Sequence, residues 1–160
     1  MLFRSRRVVF ASAARLGVAA ALGGQELIPS VRFFAGGMRT VRAVGEDSLG
    51  PRDFLGDPAG GGAMVVLNHE VRVPVMTHVR GVGFIDAGSV FPHVGDVRFG
   101  TLTGAVGGGL RISTPFALLR VDYARVAWGG PSTSGTVKPQ TSRWTFGIDR
   151  KSTRLNSSHT

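Results

Sequence analysis

Two arginines three apart, Arg39 and Arg42, stand in a stretch with neither helical nor strand periodicity that runs from Arg32 to Pro51. A paired aromatic, Phe33 and Phe34, leads into the double glycine Gly36-Gly37. Thr40, Val41 and Arg42 follow, and Leu49-Gly50-Pro51 closes the stretch with a turn. Glycines let the backbone fold tightly, the aromatics offer an anchor, and a guanidinium presents five donors in a rigid fork. This is the make-up of an ordered loop that plugs into something; a flexible Gly-rich surface loop is the competing reading. Other residues capable of chemistry are less organised. His69, His78 and His93 lack ligand spacing, and the serines belong to no nucleophile motif. Gly107-Gly108-Gly109 lies inside a strand pattern without the helix start that a phosphate loop needs. Such glycines more often permit a bend or close strand packing. The residues point to no enzyme, no metal and no cofactor.

The elements that must position this loop come from a chain of 160 residues, enough for one domain. Cysteine is absent, so no disulfide or thiolate metal site is possible. The net charge of +9 suggests nucleic acid or anionic lipid as a partner. The basic residues are spread along the chain, however, with only Arg4, Arg6 and Arg7 forming a short run, and this discounts nucleic acid. No apolar stretch is long enough for a membrane-spanning helix, which needs about 20 residues; Val8 to Gly24 comes nearest and is interrupted by Arg15. The same region imitates a secretory signal, but Arg15 and the lack of a clean small-x-small site before Gln25 count against that reading.

Alternation in twos organises the remainder. Arg7 to Val18 alternates weakly. After Pro58 to Gly62 comes the clearest segment, in which Ala63, Val65, Leu67, His69, Val71, Val73 and Val75 oppose Met64, Val66, Asn68, Glu70, Arg72 and Pro74. Its length suits a tilted membrane strand better than a globular one. Val79 to Phe91 places Arg80, Val82, Phe84, Asp86 and Gly88 on one face. Val97 to Ile112 reads as a long glycine-laced strand, Phe116 to Trp128 carries Arg120 and Asp122 on its polar face, and Arg143 to Ile148 is a last strand with Trp144, Phe146 and Ile148 together. Six strands without intervening helices should pair antiparallel. Strands cross a bilayer only in closed barrels, and six fall short of the usual minimum of about eight, so the chain reads as a piece of a larger barrel.

Phe33-Phe34-Ala35-Gly36-Gly37, then Thr40-Val41-Arg42 and Leu49-Gly50-Pro51, resemble the lid loop of the BamA/TamA family of bacterial surface-antigen barrels. Asn68-x-Glu70-x-x-x-Pro74, Phe84-Ile85-Asp86-Ala87-Gly88, and Thr114-Pro115 with Leu119-Arg120-Val121-Asp122-Tyr123-Ala124 resemble later strands of the same family, in the right order. The resemblance covers roughly residues 6 to 148. It implies an all-β fold, the C-terminal six antiparallel strands of a transmembrane barrel of about sixteen, with a long lid loop folded into the lumen. Two departures stand out. Ala43-Val44 replaces the family's Gly-aromatic after the arginine, which weakens the turn and its aromatic plug unless Gly45 takes up the strain. The closing strand runs into Asp149-Arg150 rather than a terminal aromatic. Residues 1–150 are thus expected to form the partial barrel. The polar tail 151–160 looks like translated adapter or vector sequence, and the chain reads as a fragment at both ends.

The resemblance assigns Arg42 to the lid loop inside the barrel. Strand parity offers Glu70 and Asp86 as its lumen partners, and a guanidinium can bridge two carboxylates. The expected lid-loop motif is Gly36, Gly37, Val41, Arg42, Leu49, Gly50 and Pro51; the expected seam strand carries Trp144, Phe146 and Ile148. The implied setting is the bacterial outer membrane, with membrane lipid, client β-barrel proteins and upstream periplasmic domains as partners. The implied function is assembly of other outer-membrane proteins. Secretion of a polypeptide through the pore, and a soluble basic β-domain binding an anionic partner, are the alternatives.

Overall fold

The computed structural model describes residues 7–21, 23, 25–129 and 142–150. Six strands form one sheet in sequence order: β1 (Val9–Val18), β2 (Ala63–Pro74), β3 (Val79–Phe91), β4 (Thr103–Ser113), β5 (Ala117–Trp128) and β6 (Ser142–Arg150). Every neighbouring pair is antiparallel. Short turns join β2 to β3 and β4 to β5 at one end. At the other end lie the long connections, residues 19–62 between β1 and β2 and residues 92–102 between β3 and β4.

The register fixes two chemically different faces, because successive side chains in a strand point to opposite sides. Asn68 lies opposite Asp86, Phe84 opposite Gly107, and Asp122 opposite both Gly109 and Thr145, so these residues share the inward face. Phe10, Leu16, Ile85, Leu110, Phe146 and Ile148 point outward, and all are exposed. Water penalises such a surface and hydrocarbon does not. One outward row is more polar, where Ser12 Oγ and His69 Nδ1 are 2.8 Å apart and Arg125 sits opposite Val106. In the adjacent row the rings of Tyr123 and Trp144 meet at 4.9 Å between centroids.

Three expectations are corrected. The fourth strand starts at Thr103, not Val97: residues 97–102 include a 3-10 turn, Phe99–Thr101. Leu102 and Val97 instead pack against Ala63, Val65 and Phe91 at the long-loop end, burying apolar surface that a straight strand would leave uncovered. The last strand continues past Ile148 to Arg150, because Asp149 turns inward and pairs with Arg120, Nε to Oδ2 at 3.1 Å. The first strand begins at Val9 rather than Arg7. The tail 151–160 lies outside the described residues.

An arginine placed at mid-depth on the lipid-facing side of a barrel costs about 2–4 kcal/mol. Leu110→Arg is therefore expected to lower the urea resistance of the folded full-length protein by that amount, read by heat-modifiable migration. Ala13→Arg, on the inward face, should change it by less than about 1 kcal/mol.

Candidate functional site

The long connection between β1 and β2 folds back over the inward face as an ordered loop. Its stem is pinned by short bridges, Phe33 with Gly61, Ala35 with Leu49 and Arg52 with Pro58. The paired aromatics act as anchors. Phe33 lies so close to Gly17 of β1 that a Cβ there would sit 2.7 Å from its ring, and Phe34 crowds Gly60 in the same way. Gly36 and Gly37 adopt φ of 123° and 88°, in the region that favours glycine. This turns the chain so that the Gly36 N–H reaches Thr40 Oγ1 at 2.7 Å. Gly50, with φ of 103°, lets the returning strand of the loop pass against Val90.

The tip is apolar and buried. Val41, Ala43, Val44, Ala35 and Leu49 join Val66, Val82, Phe84, Val90, Ala105 and Ala124 from the inward face of the sheet in a single core. Ala43 and Val44 thus bury where the family pattern has a glycine and an aromatic. The turn closes through Val44 N–H to the Val41 carbonyl at 3.3 Å. Gly45 does not take up the strain: the one non-glycine with positive φ among the described residues is Asp47, at 53°. Pro51 contributes its carbonyl, which accepts the Ala59 N–H at 2.9 Å.

Arg42 projects from this tip into three carboxylates. Its Nε donates to Asp86 Oδ2 at 2.8 Å and its Nη2 to Asp86 Oδ1 at 2.9 Å, a bidentate pair. Its Nη1 donates to Glu70 Oε2 at 3.0 Å and lies 3.8 Å from Asp122 Oδ2. The guanidinium stacks over the Phe84 ring, 3.4 Å from the centroid. Burial acts to lower its pKa, but the hydrogen bonds and charge of Asp86, and then of Glu70, outweigh burial and hold it above the ordinary value.

Asp86 has no solvent exposure and is fully engaged. Besides the two side-chain bonds from Arg42 it accepts the Arg42 backbone N–H at 3.3 Å and Asn68 Nδ2 at 2.7 Å. A carboxylate has about four acceptor sites, so its demand is met. Asn68 Nδ2 also donates to the Thr40 carbonyl at 2.7 Å, and Arg15 of β1 donates to Asn68 Oδ1 at 3.1 Å and to the Arg39 carbonyl. From the far side, Arg143 of β6 donates to the Val44 carbonyl at 3.2 Å.

Three participants escaped the sequence reading. Arg111 forms a bidentate pair with Asp122 and lies 3.6 Å from Glu70, and Arg72 Nε donates to Glu70 at 2.6 Å. Arg42, Arg72 and Arg111 thus balance Glu70, Asp86 and Asp122, a neutral network that is buried except at Arg72. Phe84 was visible only as one of a face; its role under Arg42 depends on Gly107, where a Cβ would collide with that ring. The seam residues Trp144, Phe146 and Ile148 all point outward, away from this network. Among the described residues, no group of His, Asp or Glu has an arrangement that could hold a metal ion.

Arg42→Ala would strand Asp86 as an uncompensated buried charge, a loss on the order of 3–5 kcal/mol. The expected result is a lower urea midpoint and fast trypsin cleavage at the exposed Arg52, with Arg42→Ala/Asp86→Ala recovering part of the loss. Gly107→Ala should produce the same trypsin sensitivity by displacing the Phe84 ring; protection equal to the parent protein would contradict the packing described here.

A family model for the Omp85 superfamily domain matches residues 1–150. Among solved structures, the chain is similar to BamA from Haemophilus ducreyi lacking POTRA domains 1–3, with a TM-score of 0.70 and 21% identity. That match covers 90% of this chain and 32% of the BamA chain, so the chain spans about a third of that protein's length. The six-stranded sheet is therefore a sector of a BamA-type transmembrane β-barrel, and the chain belongs to the Omp85 superfamily.

Proposed function

We propose that this chain is the wall, lid loop and seam strand of a bacterial outer-membrane barrel that helps insert and fold other β-barrel proteins. The observation that carries the reading is the match of residues 1–150 to the Omp85 superfamily domain, together with a sheet whose outward side, including Trp144, Phe146 and Ile148 of β6, is apolar and exposed. In this reading β6 is the seam strand: a strand edge at a barrel seam templates the addition of another strand, and a seam at membrane depth offers that template where a client must fold. The long connections then face the exterior and the short turns the periplasm, as in barrels of this type. Membrane lipid meets the outward face, client strands meet the seam, and periplasmic domains of the same protein lie at the short-turn end.

Secretion of a polypeptide through the pore is the second reading. It is favoured by the lid loop, which occupies the inward face like a plug. A soluble domain is disfavoured by the exposed outward row from Phe10 to Ile148.

The test is reconstitution of the full-length protein in liposomes with a urea-denatured client barrel and a photo-crosslinker at Phe146. Client folding should accelerate by at least about tenfold, a barrier lower by about 1.4 kcal/mol, and the client's strand should be captured at position 146. Passage of a soluble polypeptide into the liposomes without client folding would favour secretion instead. Acceleration without capture would remove β6 as the template.

A further inference from the structure

Below the lid, toward the short turns, the inward face carries an unusual row. Arg80 of β3 lies directly opposite Arg111 of β4, and Arg111 directly opposite Arg120 of β5. Like charges directly opposite one another across strands are destabilising, so each guanidinium should be neutralised. Two are. Arg111 is held by Asp122 and Glu70, and Arg120 by Asp149. Arg80 is not. All ten acidic residues of the chain lie among the described residues, yet none forms an ion pair with Arg80, which is exposed. The row lines an open cavity of about 290 Å³ together with Glu70, Arg72, Ser113 and Asp149.

We propose that this cavity, with Arg80 at one end of its arginine row, docks the carboxylates of an acidic polypeptide segment entering the lumen from the short-turn side. The inference rests on the reading of the chain as the wall of a barrel that handles polypeptides. Charge complementarity identifies the occupant. The other five charged groups lining the cavity, Glu70, Arg72, Arg111, Arg120 and Asp149, pair among themselves, and the row is left with one guanidinium whose five donors fit a carboxylate in bidentate fashion. Its three rungs span about 10 Å, since neighbouring strands lie about 4.8 Å apart. An extended segment with acids at alternate positions, about 7 Å apart, can engage it.

The experiment uses the full-length protein in nanodiscs and a fluorescein-labelled decapeptide with aspartate at alternate positions, followed by anisotropy in 0.1 M salt. Arg80→Ala is expected to weaken binding about tenfold, the loss of one partly exposed charge-assisted contact. Arg80→Lys should weaken it less, and the peptide with asparagine for aspartate should not bind. The urea midpoint of Arg80→Ala should equal or exceed that of the parent, because a like-charge contact has been removed; a fall would assign Arg80 a structural role and overturn the site. Equal peptide affinity in Arg80→Ala would overturn it as well, and displacement by inorganic phosphate as effective as by free peptide would reduce it to a general anion site. The liposome folding assay is scored separately. Normal client folding with no Arg80-dependent binding removes this site alone; Arg80-dependent binding with no client folding supports the site and removes the assembly reading.

Discussion

A carboxylate with no access to water must have its charge balanced and its lone pairs filled, and Asp86 imposes that constraint on this molecule. Its position on β3 is fixed by strand register, but three of its hydrogen bonds and its counter-charge come from Arg42, forty-four residues earlier in a loop. The sheet alone leaves Asp86 costly, and the loop alone leaves Arg42 without a partner. Together they make the seated loop the low-energy arrangement. The remaining polar contacts act around that bond: Asn68 ties Asp86 to the loop backbone, and Glu70 extends the network to Arg72 and Arg111.

The seat depends equally on what is missing from β4. Ala105, Gly107 and Gly109 occupy the inward face where larger side chains would stand, and they leave a trough for the Phe84 ring and the Asp122 carboxylate. The apolar tip of the loop then covers this floor, with Val41, Ala43 and Val44 wholly buried. Contacts from two further strands reach the loop, Arg15 of β1 at the Arg39 carbonyl and Arg143 of β6 at the Val44 carbonyl.

Much of this was legible in the residue order because a membrane-type strand has a strict period. The alternation over Ala63 to Val75 fixes which of Asn68, Glu70 and Arg72 face inward, and the same parity places Asp86 beside them. The loop's glycines and aromatics were legible for a similar reason, since φ above zero at Gly36, Gly37 and Gly50 demands that residue type. The errors fall where period carries no information. Residues 97–102 alternate as a strand would, but tertiary packing of Val97 and Leu102 onto Ala63, Val65 and Phe91 overrides the pattern. Arg111 was hidden because its partners depend on register between strands, which sequence spacing alone does not give. Asp149 looked like a strand end because its partner, Arg120, lies on the neighbouring strand.

The claim at the centre of this account is that the lid loop is seated on the inward face of the sheet. It is tested most directly by a disulfide between Val41→Cys and Gly88→Cys in the full-length protein in its native membrane. A Cβ at position 88 would lie 3.1 Å from Val41 Cγ2, which is within bridging geometry. Rapid, near-complete cross-linking under mild oxidation, with heat-modifiable migration retained, is the result the account predicts. A folded barrel whose two cysteines stay reduced, and remain open to a membrane-impermeant thiol reagent, would contradict it.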